Sequence, residues 1–356
     1  MKNIMRASLS VPRFAALVTA LILLLGNVGA GVAVKAAYAQ PLPASKTADD
    51  AKAGTKADYD PTRPSSGASP EAKPDSKSGE KSSAAADKKS FLWEVKSATN
   101  TVYLFGTIHV GKKNFYPLPD AVEKARASSK KVVVEADISK TDGLADISKL
   151  IMYEAPDTLE RKIPSALFAR LKTQLTKFKI PVDGVKPMKP FMIGALLSVN
   201  EFTRLGYDMN FGVDAYLIES ANKQMKPVLE LESQLGQIEL LTNMQPLLQE
   251  TFLENALAAL ETGTIAEQMS GVVTAWQAGD VKLMQDVVAA GNKNAKRINE
   301  FDEILLYNRH PAMLKKVEGF LREDQPHFVA VGSLHLLGPK GLVELLAAKG
   351  YRIKQL

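Results

Sequence analysis

Apolar positions along this chain follow two rhythms, and the switches between them outline a folded region. Phe91-Leu92-Trp93-Glu94-Val95 alternates like an edge strand. After a turn at Thr99-Asn100 comes Thr101-Val102-Tyr103-Leu104-Phe105, a buried run expected to pair with it as a hairpin. Pro117-Leu118-Pro119-Asp120 opens a helix carrying Val122, Ala125 and Arg126, and Lys131-Val132-Val133-Val134 is a strand ending in Glu135-Ala136-Asp137. Strand, helix, strand in about forty residues predicts a parallel pair. From Ile147 to Gly206 the period turns helical, punctuated by Pro156, Pro164, Pro181, Pro187 and Pro190. Phe211 to Lys223 reads as a further helix, and Lys226-Pro227-Val228-Leu229-Glu230-Leu231-Glu232 as another strand ending in carboxylates. Leu235 to Leu321 carries long amphipathic helices breaking at Gly263, Gly279 and Gly291. Phe328-Val329-Ala330-Val331 returns to strand, followed by a helix near Gly341–Lys349 and a last strand at Tyr351-Arg352-Ile353, a second βαβ unit. The prediction is an α/β fold: a mixed, mostly parallel sheet built from two βαβ-like halves with a large helical middle section.

The first ninety residues follow neither rhythm. Lys2, Arg6 and Arg13 precede an apolar stretch from Phe14 to Leu25, and Ala37-Tyr38-Ala39 resembles a signal-peptidase site. That layout predicts a secretory signal over 1–39, cleaved after Ala39, and a periplasmic or secreted protein. Membrane contact is then expected only through an uncleaved signal. Residues 40–90 are Ala, Lys, Asp, Ser and Pro, with too few large apolar side chains to offset ordering entropy; a disordered linker is expected there. Residues 91–356 form the expected domain. The net charge of +6 comes mostly from the leader, where Lys2, Arg6, Arg13 and Lys35 stand without any acid. The remaining balance gives no electrostatic case for nucleic acid. The chain has no cysteine, which excludes disulfides, thiolate metal sites and a lipidated amino terminus.

Two distant segments share one design: Gly106-Thr107-Ile108-His109 and Gly332-Ser333-Leu334-His335 each follow an apolar strand, in a chain with only four histidines. A glycine there lets the backbone turn or approach something closely. The histidine then sits at a strand's carboxyl end, where open α/β sheets build their sites. Glu135 and Glu230 or Glu232 end two other strands. If those strands are parallel in one sheet, two imidazoles and one or two carboxylates gather at one rim. That donor set suits a divalent ion with open positions, hence metal-assisted hydrolysis, with a carboxylate left over as general base. Strand alternation puts Glu230 and Glu232 on one face, so periodicity does not choose between them. Asp214 begins a helix, where the dipole alone favours a carboxylate. Arg309 suits clamping a carboxylate or stabilising an oxyanion, or else a surface salt bridge. His310 and His327 lack the motif's context after a strand. No Gly-x-Ser-x-Gly elbow, phosphate loop or His-Glu-x-x-His helix occurs.

Leu92-Trp93, Gly-Thr-Ile-His, Phe115-Tyr116-Pro117-Leu118-Pro119 and Val-Val-Val-Glu-Ala-Asp, in this order, resemble the TraB/GumN family. Gly212-Val213-Asp214, Lys226-Pro227-Val228 to Gln234, Arg309-x-x-x-Met313 and Val331-Gly332-Ser333-Leu334-His335-Leu336-x-Gly338 continue the resemblance to the carboxyl terminus. It implies kinship with TIKI-type metalloproteases, whose paired Gly-x-x-His motifs and a glutamate are proposed to hold a divalent metal. Carried to this chain, the metal residues are His109, His335 and Glu135, the motif glycines Gly106 and Gly332, and the catalytic candidates Glu135, Glu232 and Arg309. The family's Leu-Glu segment favours Glu232 over Glu230. Manganese, cobalt or zinc is the implied cofactor, and a peptide or protein the implied substrate. The chain departs from the family's usual Glu-Arg-Asn with Asn308-Arg309-His310. Wider kin include erythromycin-esterase-like and haem-binding ChaN-like proteins, so a fold shared with them does not fix a reaction. The sequence therefore supports an exported metal-dependent hydrolase, a peptidase foremost. The alternative is a non-catalytic periplasmic protein that binds haem, metal or peptide, or regulates.

Overall fold

The computed structural model describes residues 89–293 and 295–356. The expected signal peptide and all but the last two residues of the expected linker lie outside that range. Six strands, β1 (Leu92–Lys96), β2 (Thr101–Thr107), β3 (Lys131–Val134), β4 (Val228–Glu230), β5 (His327–Gly332) and β6 (Arg352–Gln355), form one sheet in the order β4-β3-β5-β2-β1-β6. β4, β3, β5 and β2 are parallel neighbours, while β1 is antiparallel to both β2 and β6. The sheet is mixed and mostly parallel, and helices fill the interval between β4 and β5, as the apolar pattern predicts.

The hairpin of β1 and β2 forms, with Leu92 opposite Phe105 and Lys96 opposite Thr101. Two expectations are corrected. β1 is not an edge strand: β6 covers it, pairing Trp93 with Gln355 and Lys96 with Arg352. The solvated edge falls to β6, where Arg352 and Lys354 are exposed and charge discourages further pairing. β2 and β3 are parallel but not adjacent, because β5 inserts between them. All six residues of β5 are buried, and such a strand belongs in the centre, covered on both faces. The helix Val281–Asn292 ends one residue after Gly291, as expected. A Cβ there would lie 2.0 Å from Gln268 Nε2, so the glycine serves close packing against the helix Thr264–Ala278.

The carboxyl ends of the four parallel strands share one rim. The parallel ladder continues past β3 and β4: Leu231 N donates to Val134 O (2.9 Å) and Glu232 N to Glu135 O (2.8 Å). That pairing sets Glu232 beside Glu135. The helical middle supplies the other wall through the 3-10 turn Tyr307–Arg309 and the helix His310–Phe320 that follows it. Among the described residues no helix is long and apolar enough to cross a membrane.

Candidate active site

The His109 arm is anchored by a carboxylate. β2 ends at Thr107, and the helix Val213–Lys223 begins against the loop that follows. Gly212 permits that contact, since a Cβ there would lie 2.4 Å from His109 O; Val213 N donates to Ile108 O at 2.9 Å. Asp214, in the helix's first turn, accepts from Thr107 Oγ1 (2.9 Å) and from His109 Nδ1. A carboxylate can only accept, so Nδ1 carries a proton, and in the neutral ring Nε2 keeps its lone pair. That Nε2 is buried and has no hydrogen-bond partner among the described residues. Burial opposes charge on His109, but the charge and hydrogen bond of Asp214 outweigh it, and the imidazole's pKa is raised.

The His335 arm is built differently. Gly106 lets β2 lie close to the second motif: a Cβ there would meet Ser333 Oγ at 2.9 Å and Ser333 Cα at 3.1 Å. Ser333 Oγ donates to Thr107 O at 2.9 Å, which ties the two Gly-x-x-His segments together. His335 is fully buried. Its Nδ1 lies 2.9 Å from His310 Nε2, and its Nε2 lies 3.1 Å from Arg309 Nη1 and 3.7 Å from Glu135 Oε1. Burial lowers the pKa of His335; Arg309 lowers it further, against Glu135. His310 is pushed down to about 4 by burial and by its neighbour His335.

Between the arms sits a charged centre. Arg309, 4 % exposed, bonds through Nη2 to both Glu135 and Glu232; its Nε donates to Glu232 Oε2 (3.0 Å) and its Nη1 to Leu305 O (2.7 Å). The reading of Arg309 as a surface salt bridge is thus corrected. Glu135, 3 % exposed, also accepts from Gln237 Nε2 (2.8 Å) and from Gly332 N (3.1 Å). Burial would raise its pKa, but Arg309, then His335 and His109, hold it well below the usual carboxylate range. Glu135 thus lies within the electrostatic reach of both motif histidines.

The ambiguity between the two strand-end glutamates resolves. Glu230 accepts from Asp137 N (2.7 Å) and Lys140, away from the cluster, whereas Glu232 joins Arg309. The cluster meets solvent at His109 and Glu232, whose side chains are 9 % and 17 % exposed; His335 is sealed behind them.

Sequence reasoning missed three members. Asp214 was assigned to the helix dipole and His310 set aside, yet each holds a motif imidazole. Gln237, one turn into the helix Gln234–Thr242, was not singled out. The usable signal for Asp214 was the glycine two residues before it. His310 and Gln237 carry no local signal, because their partners are remote in sequence. His327 lies at the opposite end of β5, bonded through Nδ1 to Gln325 O (2.8 Å) and stacked on Phe320.

His335 thus presents a bare Nε2, and His109 does so when its ring is neutral, the form that binds metal; each has its other nitrogen held from behind. Glu135 is engaged by Arg309 and Gln237 instead. Among the described residues no three His, Asp or Glu side chains converge on one ion position.

Comparison with known proteins narrows the context. "Uncharacterized protein YbaP" of Escherichia coli (strain K12) is 26 % identical over 256 residues, covering 68 % of this chain and 87 % of that protein. "Metalloprotease TIKI1" of Danio rerio is 24 % identical over 315 residues, 75 % of this chain and 63 % of its own length. "Metalloprotease TIKI homolog" of Amphimedon queenslandica is 23 % identical over 319 residues, covering 76 % and 62 %. No solved structure matches the chain. The sequence profile of one family spans residues 91–355, taking in all six strands, both Gly-x-x-His segments and every residue bonded to them: the chain belongs to the TraB/PrgY/gumN family.

Proposed function

We propose that this chain is an exported metal-dependent hydrolase, a peptidase, using a divalent manganese, cobalt or zinc ion. One observation carries the reading: the Nε2 of His109 is buried without a partner among the described residues while its Nδ1 is tied to a carboxylate. An imidazole oriented in this way is what a metal site requires of its ligands. The resemblance to metalloproteases, at 23–24 % identity, supports the same class. His109 and His335 would hold the ion, with Glu135 joining once it exchanges Arg309 for the metal. A bound ion supplies an acidified water and polarises a carbonyl oxygen. Glu232, partly exposed at the rim, is placed to accept a proton. Arg309, released from one carboxylate, is placed to bind a substrate oxygen.

Metal analysis of the purified chain tests this, together with His109→Ala and His335→Ala. Both variants are expected to lose the ion and the cleavage of peptide libraries supplied with manganese, cobalt or zinc. Metal content unchanged in both sinks the assignment. Export rests on the leader, and amino-terminal sequencing of the periplasmic protein is expected to begin at Gln40; a membrane-retained chain with residues 1–39 intact overturns it.

A second reading is a non-catalytic binder of haem, metal or peptide, or a regulatory protein. It is favoured by Arg309, which already satisfies both glutamates. A ligand bound in fixed stoichiometry with no cleavage under any of the three metals would select it.

A further inference from the structure

The second imidazole of the cluster is the end point of a hydrogen-bonded chain whose direction the chemistry of its two ends decides. At one end the carbonyl of Lys340 lies 2.6 Å from His310 Nδ1. A carbonyl only accepts, so His310 Nδ1 carries a proton. At the other end Arg309 Nη1 lies 3.1 Å from His335 Nε2. A guanidinium only donates, so His335 Nε2 is bare. Between them His310 Nε2 and His335 Nδ1 are 2.9 Å apart. With both rings neutral, one pattern satisfies all four nitrogens: His335 Nδ1–H donates to His310 Nε2, and His310 Nδ1–H donates to Lys340 O. Reversing either ring sets proton against proton at one end and leaves two bare lone pairs facing each other at the other.

We propose that His310 is a positioning residue: it fixes the Nδ1–H tautomer of His335 and thereby aims the Nε2 lone pair of His335 at the Glu135–Arg309 centre. His310 begins the helix His310–Phe320 and is 1 % exposed, so its ring is held by packing and by Lys340 together. The tautomer stands on geometry alone; its consequence for catalysis rests on the metallohydrolase reading.

The test uses the full chain with nitrogen-15 in its histidines. Four histidines give four ring patterns in a long-range proton–nitrogen spectrum, assigned by single substitution. In the unsubstituted protein His335 is expected to show a protonated Nδ1 and a bare Nε2. His310→Phe removes the acceptor and is expected to shift His335 toward the Nε2–H form, with the His109 and His327 patterns unchanged as a control for folding. His310→Gln restores an acceptor and is expected to restore the pattern. Zinc, added as the probe ion, is expected to bind roughly 10–100-fold more weakly to His310→Phe than to His310→Gln. A His335 protonated on Nε2 in the unsubstituted chain, or unmoved by His310→Phe, overturns the proposal. If His310→Phe fails to fold, the spectrum of the unsubstituted chain together with that of His310→Gln still decides it. The expected tautomer, in a chain that neither binds zinc nor cleaves peptide, upholds the proposal and overturns the hydrolase reading instead.

Discussion

His109 and His335 occupy the same four-residue motif, yet the protein backs them with opposite electrostatics. His109 leans on a carboxylate, Asp214, and its basicity is raised. His335 leans on a neutral imidazole that ends on a carbonyl, faces a guanidinium, and its basicity is lowered. The strands reinforce the asymmetry. Gly106 pairs with Val331 and Thr107 with Gly332, so the motifs stand one residue out of step and their histidines are not equivalents. The motif sets where an imidazole emerges; the residues behind it set which nitrogen is protonated and how firmly.

The sharpest way to break that contrast is to remove Arg309, which bonds to His335 but not to His109. Arg309→Ala strands Glu135 and Glu232 without their cation. Removing one partner of a buried pair costs about 3–5 kcal/mol, so urea unfolding is expected to show a loss of that size. His335 is expected to become more basic, by more than His109 does. A loss under about 1 kcal/mol would mean that the carboxylates find solvent or protons readily, as at a surface pair.

Removing the anionic backing is the next largest effect. Asp214→Asn keeps the shape but takes away the charge that outweighs burial at His109. The cost is expected at about 1.5–3 kcal/mol, the range of a hydrogen bond to a charged group. The pKa of His109, followed by NMR titration, should fall below its ordinary value and join that of His335. A pKa that stays raised assigns the shift to Glu135 rather than Asp214.

How much of this was legible in the sequence follows from the range of each interaction. Strand rhythm and the two glycines were local signals, and they located the sheet, Glu135 and both motif histidines. Which strands are neighbours was not local: β5 enters between β2 and β3 from nearly two hundred residues downstream because its burial demands the centre. The backing groups were hidden for the same reason. Asp214 sits at a helix start, where a carboxylate needs no further explanation, and only the fold shows His109 beside it. The meaning of His310 depends on His335 and Lys340, 25 and 30 residues away. Arg309 read equally well as a surface ion pair until its burial was known.

The two arms should also give the stability profile two different limbs. The pKa of His109 is raised on folding, so its contribution is complete below the ordinary value of 6.5 and is lost as pH rises through the folded value. That of His310 is lowered to about 4, so its contribution is complete above 6.5 and is lost as pH falls from there toward about 4. Each proton adds at most about 1.4 kcal/mol per pH unit, and His335 and His327, whose pKa values are also lowered, add to the acid limb. Urea midpoints from pH 4 to 9 should show both limbs, and Asp214→Asn should remove the alkaline one alone. An alkaline limb surviving that substitution would have to come from another group.

The smallest expected effect provides the control. Glu230 belongs to neither arm: it holds Asp137 N and the half-exposed Lys140, while Glu232, two residues on, holds Arg309. Exposed pairs contribute little, so Glu230→Gln is expected to cost under about 1 kcal/mol and to leave all four histidine signals in place. Glu232→Gln removes a charge that favours protonated His335, and the already low pKa of His335 should fall further. Equal shifts from the two substitutions would mean that the whole rim, rather than the Arg309-linked centre, tunes the second imidazole. The asymmetry between the arms would then be a property of the strand ends and not of the residues behind them.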